Sequence, residues 1–242
     1  YGTHLTPNVD DIIAQGTGVP LISNDSDHAG VSIEKAADGS AIMVWADDRN
    51  NDNSDIDVYT QRIDTACNTL WSSPNEGGVP LCSADGDQQY AKVTYYSQNA
   101  SIVAWEDKRN NPSLGDIYIQ YIDMNGDVLL DEEGEGICTH GANQIKPRVK
   151  ADSDGAYIVW EDSRNGASDI FMQKHILGEG SQLDCIGENC VEDDGFGVCV
   201  ASGTQDQPRL TTDGYGGAYI VWMDERYDSF PETEIFMQHI SA

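Results

Sequence analysis

The strongest constraint on the fold of this chain is a fourfold internal repeat. Each copy contains a tryptophan followed four residues later by an arginine, at Trp45 and Arg49, Trp105 and Arg109, Trp160 and Arg164, and Trp222 and Arg226. A second motif, of the form Asp/Glu-Ile/Val-Tyr/Phe-x-Gln, follows at 57–61, 116–120, 169–173 and 234–238. A third, glycine-led apolar motif begins at Gly18, Gly78, Gly136 and Gly197. Motifs that recur in one order about every 60 residues predict a repeat architecture.

Each copy predicts strands rather than helices. The run from Ala156 to Trp160 is short, bulky and apolar, and it follows a turn-forming Asp154-Gly155 pair, as expected for a strand buried on both faces. The Asp-Ile-Tyr-x-Gln motif alternates polar and apolar side chains, and the glycine-led motif carries Pro20 or Pro80, which suits an edge strand. No segment sustains an apolar period of 3.6 residues. The chain is therefore predicted to be all-β.

Four strands in about 60 residues predict a four-bladed β-propeller, with a solenoid as the second choice. The chain ends on the third strand of its fourth copy, whereas residues 18–22 form an outer strand that belongs to no copy. We therefore expect the N-terminal strand to close the ring, within one chain or between chains. The predicted organisation is an N-terminal arm at 1–15 and a single propeller at 16–242, with repeats at 16–75, 76–133, 134–194 and 195–242.

The W-x-D-x-R motif followed by D-I-Y-x-Q resembles the blades of secreted bacterial and archaeal β-propeller repeat proteins. The resemblance extends over residues 16–242 and implies an architecture, but it implies no particular chemistry because propellers are scaffolds for many functions. The S-x-D-x-G-x-x-W signature of sialidase blades is missing, so no catalytic residue is carried over from that family.

The recurring side chains predict structural roles. The four tryptophans are expected to pack between blades, and the alternative is that they stack on sugars. The four arginines are expected to form hydrogen-bonded clamps with the aspartate two residues earlier, and the alternative is an anion site.

Two sets of oxygen-bearing side chains are candidate calcium ligands, which would make Ca²⁺ a structural cofactor. The first set is predicted to ring one mouth of the central channel and consists of Asp27, Asp87, Asn143 and Asp206. The alternative is that these side chains cap turns between blades. The second, weaker set is Asp123, Asn125 and Asp127, for which a plain Asn-Gly turn is the alternative.

The cysteines and two sequons predict an exported, extracellular or cell-surface protein. Six cysteines without a C-x-x-C pair suit disulfides better than zinc. The predicted pairs are Cys67–Cys82 and Cys185–Cys199, with Cys185–Cys190 as an equal rival. The sequons at Asn24 and Asn99 would be used only outside the cytoplasm.

The charge balance excludes several partners. Asp and Glu number 42 against 13 Lys and Arg, which gives a formal net charge of −29. Such a surface does not suit binding to nucleic acid or to an anionic membrane. The sequence contains no run of 18 apolar residues, so it predicts no membrane insertion. The acidity instead favours cation binding, a saline environment or solubility by self-repulsion.

No G-x-S-x-G, H-E-x-x-H or P-loop motif is present, so the sequence predicts no catalytic residues and, apart from the candidate calcium, no cofactor. We expect a non-catalytic extracellular structural or adhesive protein, such as a surface-layer or filament subunit that assembles with itself through its N-terminal strand. The first alternative is a lectin-like protein that binds glycans through loops such as 50–53 and 110–112. A glycan-cleaving enzyme is the second.

Overall fold

The structure is a computed structural model that describes residues 20–22, 26–49, 55–72, 77–96, 99–153, 155–183, 194–226 and 233–241. These residues form four antiparallel sheets without an α-helix, which confirms the predicted all-β class. In these ranges no helix is long and apolar enough to cross a membrane. The predicted N-terminal arm at 1–15 lies outside the described residues.

Each sheet is built from consecutive strands. The first sheet contains β1 (His28–Lys35), β2 (Ala41–Asp47), β3 (Asp57–Ile63) and β4 (Val79–Cys82). The second contains β5 (Gln88–Tyr96), β6 (Ala100–Asp107), β7 (Asp116–Asp123) and β8 (Glu135–Cys138). The third contains β9 (Gln144–Asp152), β10 (Gly155–Asp162) and β11 (Asp169–Ile176), with β12 (Gly180–Ser181) and β13 (Phe196–Cys199) both pairing with β11. The fourth contains β14 (Gln205–Thr212), β15 (Ala218–Asp224) and β16 (Glu234–Ile240).

The first strand of every sheet lies next to the first strand of a neighbouring sheet. Strand β1 packs beside β5, β5 beside β9, and β9 beside β14, so these four are the inner strands. The hydrophobic core is divided into layers between successive sheets. Between the first and second sheets, for example, Val44 and Val58 pack with Val93 and Trp105. Sheets arranged in this way around common inner strands form a β-propeller-like fold.

The two ends of the array expose apolar side chains. On β16, Ile235 is 81% exposed and Met237 is 61% exposed, and on β1 Val31 and Ile33 are 64% and 59% exposed. Among the described residues the fourth sheet has three strands, and β16 is its outer edge. The described residues therefore form an open array of four sheets.

In the second and third copies, the glycine that precedes the outer strand lies two residues before the glycine predicted from the sequence. Gly78, Gly134 and Gly195 directly precede β4, β8 and β13, whereas Gly136 and Gly197 lie inside their strands. The three preceding glycines have φ values of +97°, +79° and +85°, and a Cβ on any of them would press on the repeated tryptophan of its own sheet. This close approach of backbone and indole requires glycine.

Candidate functional site

The repeated tryptophan, aspartate and arginine form one buried unit in each sheet. In the third sheet, Asp162 accepts hydrogen bonds from Trp160 Nε1 at 3.0 Å and from Arg164 Nε at 3.0 Å, and its carboxylate pairs with the Arg164 guanidinium at 2.6 Å. The guanidinium also lies 4.0 Å from the centre of the Phe171 ring. The same contacts recur around Asp47, Asp107 and Asp224. A unit present in every sheet serves the architecture, and these arginines are engaged within it.

Hydrogen bonding keeps the clamp carboxylates of the first and fourth sheets, Asp47 and Asp224, ionised. Burial opposes ionisation of Asp47, but hydrogen bonds from Arg49 and Trp45 outweigh it and lower the pKa of Asp47 to about 2. Asp224 behaves in the same way, with its pKa lowered to about 2 by Arg226 and Trp222 against the effect of burial. The clamps of the first and fourth sheets therefore carry their charges throughout the neutral range.

The predicted disulfides Cys67–Cys82 and Cys185–Cys199 are wrong, because Cys67, Cys82 and Cys199 are free thiols. Cys82 and Cys199 instead lie against the clamp of the following sheet, with their Sγ atoms 2.9 Å from Arg109 Nη2 and 3.1 Å from Arg226 Nη2. Cys138 is also a free thiol and contacts Arg164 at 3.1 Å. The buried thiols of Cys82 and Cys138 act as small packing groups between sheets, and Cys199 is half-buried in the equivalent place. The rival pair Cys185–Cys190 lies outside the described residues.

Two residues of the candidate calcium ring, Asp87 and Asn143, bind the backbone of a neighbouring sheet. Asp87 Oδ1 accepts a hydrogen bond from Ile56 N at 3.4 Å, and Asn143 Oδ1 accepts one from Gly115 N at 2.7 Å. Both side chains thus bind loops of the preceding sheet. Asp27 directly precedes β1 in the equivalent position, whereas Asp206 lies inside β14.

The second calcium candidate is a hydrogen-bonded turn. Asp123 Oδ1 accepts the backbone N–H groups of Asn125 at 2.8 Å and Asp127 at 3.0 Å. No group of three or more His, Cys, Asp or Glu side chains suited to a metal ion occurs in the described part of the chain.

A left-handed residue interrupts each inner strand at the same place. These residues are Gly30, Tyr90, Lys146 and Gln207, with φ values of 67°, 57°, 54° and 52°. Each coincides with a register irregularity between the inner strand and its partner, the signature of a β-bulge. Non-glycine residues rarely adopt this conformation, so the surrounding structure must impose it.

Two buried glutamates flank the bulge of the third sheet. Glu106 in β6 and Glu161 in β10 follow the repeated tryptophan of their sheets and are 4% and 3% exposed. The backbone N–H of Lys146 donates to Glu106 Oε2 at 3.4 Å, while the Lys146 ammonium pairs with Glu161 Oε2 at 2.9 Å. Glu161 also accepts the backbone N–H of Gln207 at 2.9 Å. One lysine thus contacts both carboxyl groups.

The two glutamates differ in their electrostatic surroundings. Burial raises the pKa of Glu106, and the Lys146 N–H and the charge of Lys108 offset this only in part. Glu161 has an ammonium partner, whereas Glu106 forms no ion pair within the described residues. Neither glutamate is among the site residues predicted from the sequence. The available signal was that Ala46 and Met223 occupy the equivalent positions of the other two sheets, so the glutamates break the repeat.

A cavity of about 220 Å³ lies where all four inner strands meet. Its charged lining comprises Glu34 from β1, Lys92 from β5, Arg148 and Lys150 from β9, and Arg209 from β14. Glu34 and Lys150 pair across it at 2.6 Å. The axis of a strongly acidic protein is therefore lined mainly by cations.

No protein-family model and no curated protein sequence matches this chain. Solved structures do share its fold. The GH93 α-L-arabinofuranosidase of Fusarium graminearum, in complex with arabinobiose, has a TM-score of 0.50 at 8% identity, over 92% of this chain and 66% of that one. A family 117 glycoside hydrolase of the marine bacterium Zobellia galactanivorans has a TM-score of 0.51 at 9% identity, over 91% and 70%. The Penicillium chrysogenum α-L-arabinanase complexed with arabinobiose has a TM-score of 0.52 at 10% identity, over 90% and 64%.

These comparisons overturn the prediction of a non-catalytic structural or adhesive protein. The three similar structures are glycoside hydrolases, not filament or surface-layer subunits. The prediction that the chain is not an enzyme is corrected on the same finding. This chain spans about two thirds of the length of those enzymes.

Proposed function

We propose that this chain is a glycan-cleaving protein in which Glu106 is the general acid and Glu161 is the second carboxyl group that acts with it. The observation that carries the proposal is the placement of two buried glutamates on either side of Lys146, one with a cationic partner and one without. Hydrolysis of a glycosidic bond uses a protonated carboxyl group to protonate the leaving oxygen and a second, ionised carboxylate as base or nucleophile. When two carboxyl groups lie in different environments, the one that holds its proton more tightly is suited to act as the acid.

The asymmetry of the repeat supports a functional role for these glutamates. Residues that build the sheets recur in all four copies, as the tryptophan, aspartate and arginine of the clamp do. Glu106 and Glu161 occur only in the two middle sheets. A site needs different groups at one place, so residues that depart from a repeat are the natural candidates for chemistry.

The substrate class proposed is a glycan, and the fold comparisons suggest the first compounds to try. Two of the similar structures contain arabinobiose, and both of those enzymes are named for action on arabinose-containing glycans. Arabino-oligosaccharides are therefore the first substrates to test, followed by acidic oligosaccharides.

Glu106→Gln is expected to lower the rate of hydrolysis about 10²–10⁴-fold, the usual contribution of a general acid or base. Glutamine keeps an oxygen that accepts the Lys146 N–H, so the contact between the sheets remains. The measurement is release of reducing sugar from the glycan that the parent protein cleaves. Glu179→Gln, on an exposed loop, removes the same charge and should leave the rate unchanged. A parent that cleaves no glycan, or a Glu106→Gln variant with full activity, would refute the proposal.

The pH dependence gives a second readout for Glu106. Its pKa is raised in the folded state, so the native protein binds the proton more tightly than the unfolded chain does. Stability contributed by this group is therefore lost as pH rises from the ordinary carboxyl range through the raised pKa. Glu106→Gln removes that loss and should melt no lower than the parent at pH 7. Activity of the parent should fall as pH rises through the same pKa.

We also propose that the array is a four-bladed propeller closed within one chain by residues 18–22, which add to β16. Three facts support this. The fourth sheet has three described strands, and residues 18–21 repeat the Gly-Val-Pro-Leu sequence of residues 78–81. Leu21 and Ile22 pack on the first sheet, as Leu81 and Cys82 pack on the second. Part of this segment, residues 18 and 19, lies outside the described residues.

Closure can be tested with one pair of new cysteines. By analogy with the pairing of Cys82 with Val58, Ile22 should face Ile235. The double variant Ile22→Cys/Ile235→Cys is expected to form a disulfide within one chain, because paired strands bring Cα atoms within the roughly 7 Å that the bond requires. Mass spectrometry of the monomer, against the parent with its native thiols, detects it. Cross-linked dimers would instead indicate closure between chains. The absence of any cross-link would contradict closure by this strand.

We propose an extracellular location on the basis of the acidic composition and the sequon at Asn99. That residue lies in an exposed turn between β5 and β6, where a glycan could be attached. We also propose that the chain is related to the secreted bacterial and archaeal propeller proteins that its repeat motifs resemble.

A further inference from the structure

Three cations occupy the same register position on three inner strands. Lys92, Arg148 and Arg209 pair with Ala104, Val159 and Val221, each the residue before the repeated tryptophan. Each cation therefore comes two residues after the left-handed bulge residue of its strand. All three line the 220 Å³ axial cavity, and Ser32 takes the equivalent place on β1. The ring of bulges brings these positive groups to one place.

None of the three cations has a carboxylate partner within 4.0 Å among the described residues, although the chain carries 42 acidic and 13 basic residues. Burial, together with the positive charges of Arg148 and Arg209, lowers the pKa of Lys92. Burial and the charge of Arg209 likewise lower the pKa of Arg148. Like charges held together in a cavity repel one another, so this arrangement costs stability unless an anion neutralises it.

Hydrogen bonds within the protein use few of the N–H donors of these three cations. Arg148 Nη1 donates to the Pro147 carbonyl at 2.8 Å, and Arg209 Nη1 donates to the Pro208 carbonyl at 2.8 Å. Lys92 Nζ donates to the Ala91 carbonyl at 3.0 Å. A guanidinium group has five N–H donors in a planar fork that matches an oxyanion, so each arginine retains donors for a ligand.

We propose that the axial cavity binds an oxyanion through Lys92, Arg148 and Arg209, and that the anion is the carboxylate or sulfate group of an acidic glycan. The glycan part of this inference rests on the proposed function, whereas the anion site does not. A cavity of about 220 Å³ is smaller than a typical drug-sized pocket of roughly 300–1,000 Å³ and suits one charged group or one sugar ring. The Glu34–Lys150 pair leaves these three cations as the net positive lining.

The test measures binding of three small probes by isothermal titration calorimetry and by thermal shift. The probes are inorganic sulfate, galacturonic acid and uncharged arabinose, none of which contains a glycosidic bond to cleave. Sulfate and galacturonic acid are expected to bind saturably and to raise the melting temperature, and arabinose is expected to do neither. Tighter binding of galacturonic acid than of sulfate identifies a sugar acid as the ligand. Tighter binding of sulfate identifies a sulfate group.

Arg148→Gln is expected to weaken anion binding at least tenfold and, in the absence of the anion, to leave the melting temperature unchanged or higher because it relieves repulsion. Lys108→Gln removes a positive charge that lies 4.0 Å from Asp87 outside the cavity, so it should keep the parent's affinity. Equal anion binding by parent and Arg148→Gln, or no saturable binding by the parent, would overturn the site. Because no probe is hydrolysed, a failure of glycan cleavage would leave this result intact.

Discussion

Asp162→Ala is expected to lower the free energy of unfolding by about 3–5 kcal/mol, the range measured when one partner of a buried ion pair is removed. Asp162 is fully buried and holds both the Arg164 guanidinium and the Trp160 indole N–H. Alanine leaves a buried positive charge and a buried donor without their acceptor. Small domains are stable by about 5–15 kcal/mol in total, so this change removes a large part of the margin.

Chemical denaturation followed by tryptophan fluorescence measures this loss. Asp131→Ala is the matched control, because Asp131 is exposed and contributes only its backbone carbonyl to hydrogen bonds. It should change stability by less than about 0.5 kcal/mol, as surface substitutions usually do. An Asp162→Ala variant as stable as the control would show that the clamp does not support the sheets.

Gly134→Ala is expected to destabilise the fold by about 2–5 kcal/mol, from a left-handed backbone cost of roughly 1–2 kcal/mol and an overpacking cost of roughly 1–3 kcal/mol. Gly134 has φ +79°, and a Cβ there would press on the Trp105 ring and lie 2.7 Å from the Ile119 carbonyl oxygen. Both neighbours belong to the buried middle of the second sheet, so neither can move away easily.

Gly166→Ala separates the two contributions. Gly166 also has a positive φ, +101°, but a Cβ there meets nothing within 4 Å. It should therefore show only the backbone cost, measured in the same denaturant titration. If Gly134→Ala costs no more than Gly166→Ala, the close approach of glycine and tryptophan contributes nothing to stability.

The repeat motifs predicted the strands because their side chains repeat the same local requirements. Trp105 and Tyr118 are cross-strand neighbours with stacked rings 6.2 Å apart, and each lies in the motif that marks its strand. The turn at Asp123 was also visible, since Asn-Gly is a strong turn sequence. The left-handed bulge was not visible, because Tyr90, Lys146 and Gln207 share no residue type that signals it.

The disulfide prediction failed for a different reason, and calcium binding stays a prediction. Spacing along the chain gives no distance between side chains of different sheets. Cys82 lies against Arg109 of the next sheet rather than against Cys67, and Asn143 accepts a hydrogen bond from the backbone N–H of Gly115 in the preceding sheet. The function prediction failed because a motif present in all four copies describes a scaffold, whereas the candidate chemistry lies in residues found in only two of the copies.

The sequence by itself determined the all-β class, the four copies and the strands within each, because hydrophobic alternation and turn residues act over a few neighbouring positions. Only the tertiary structure decided which groups meet. It placed Lys146 between Glu106 and Glu161, and it gathered Lys92, Arg148 and Arg209 at the axis. Those contacts join residues from different sheets, so they depend on how the sheets pack around the inner strands. They also depend on the β-bulges, which no local sequence pattern predicts.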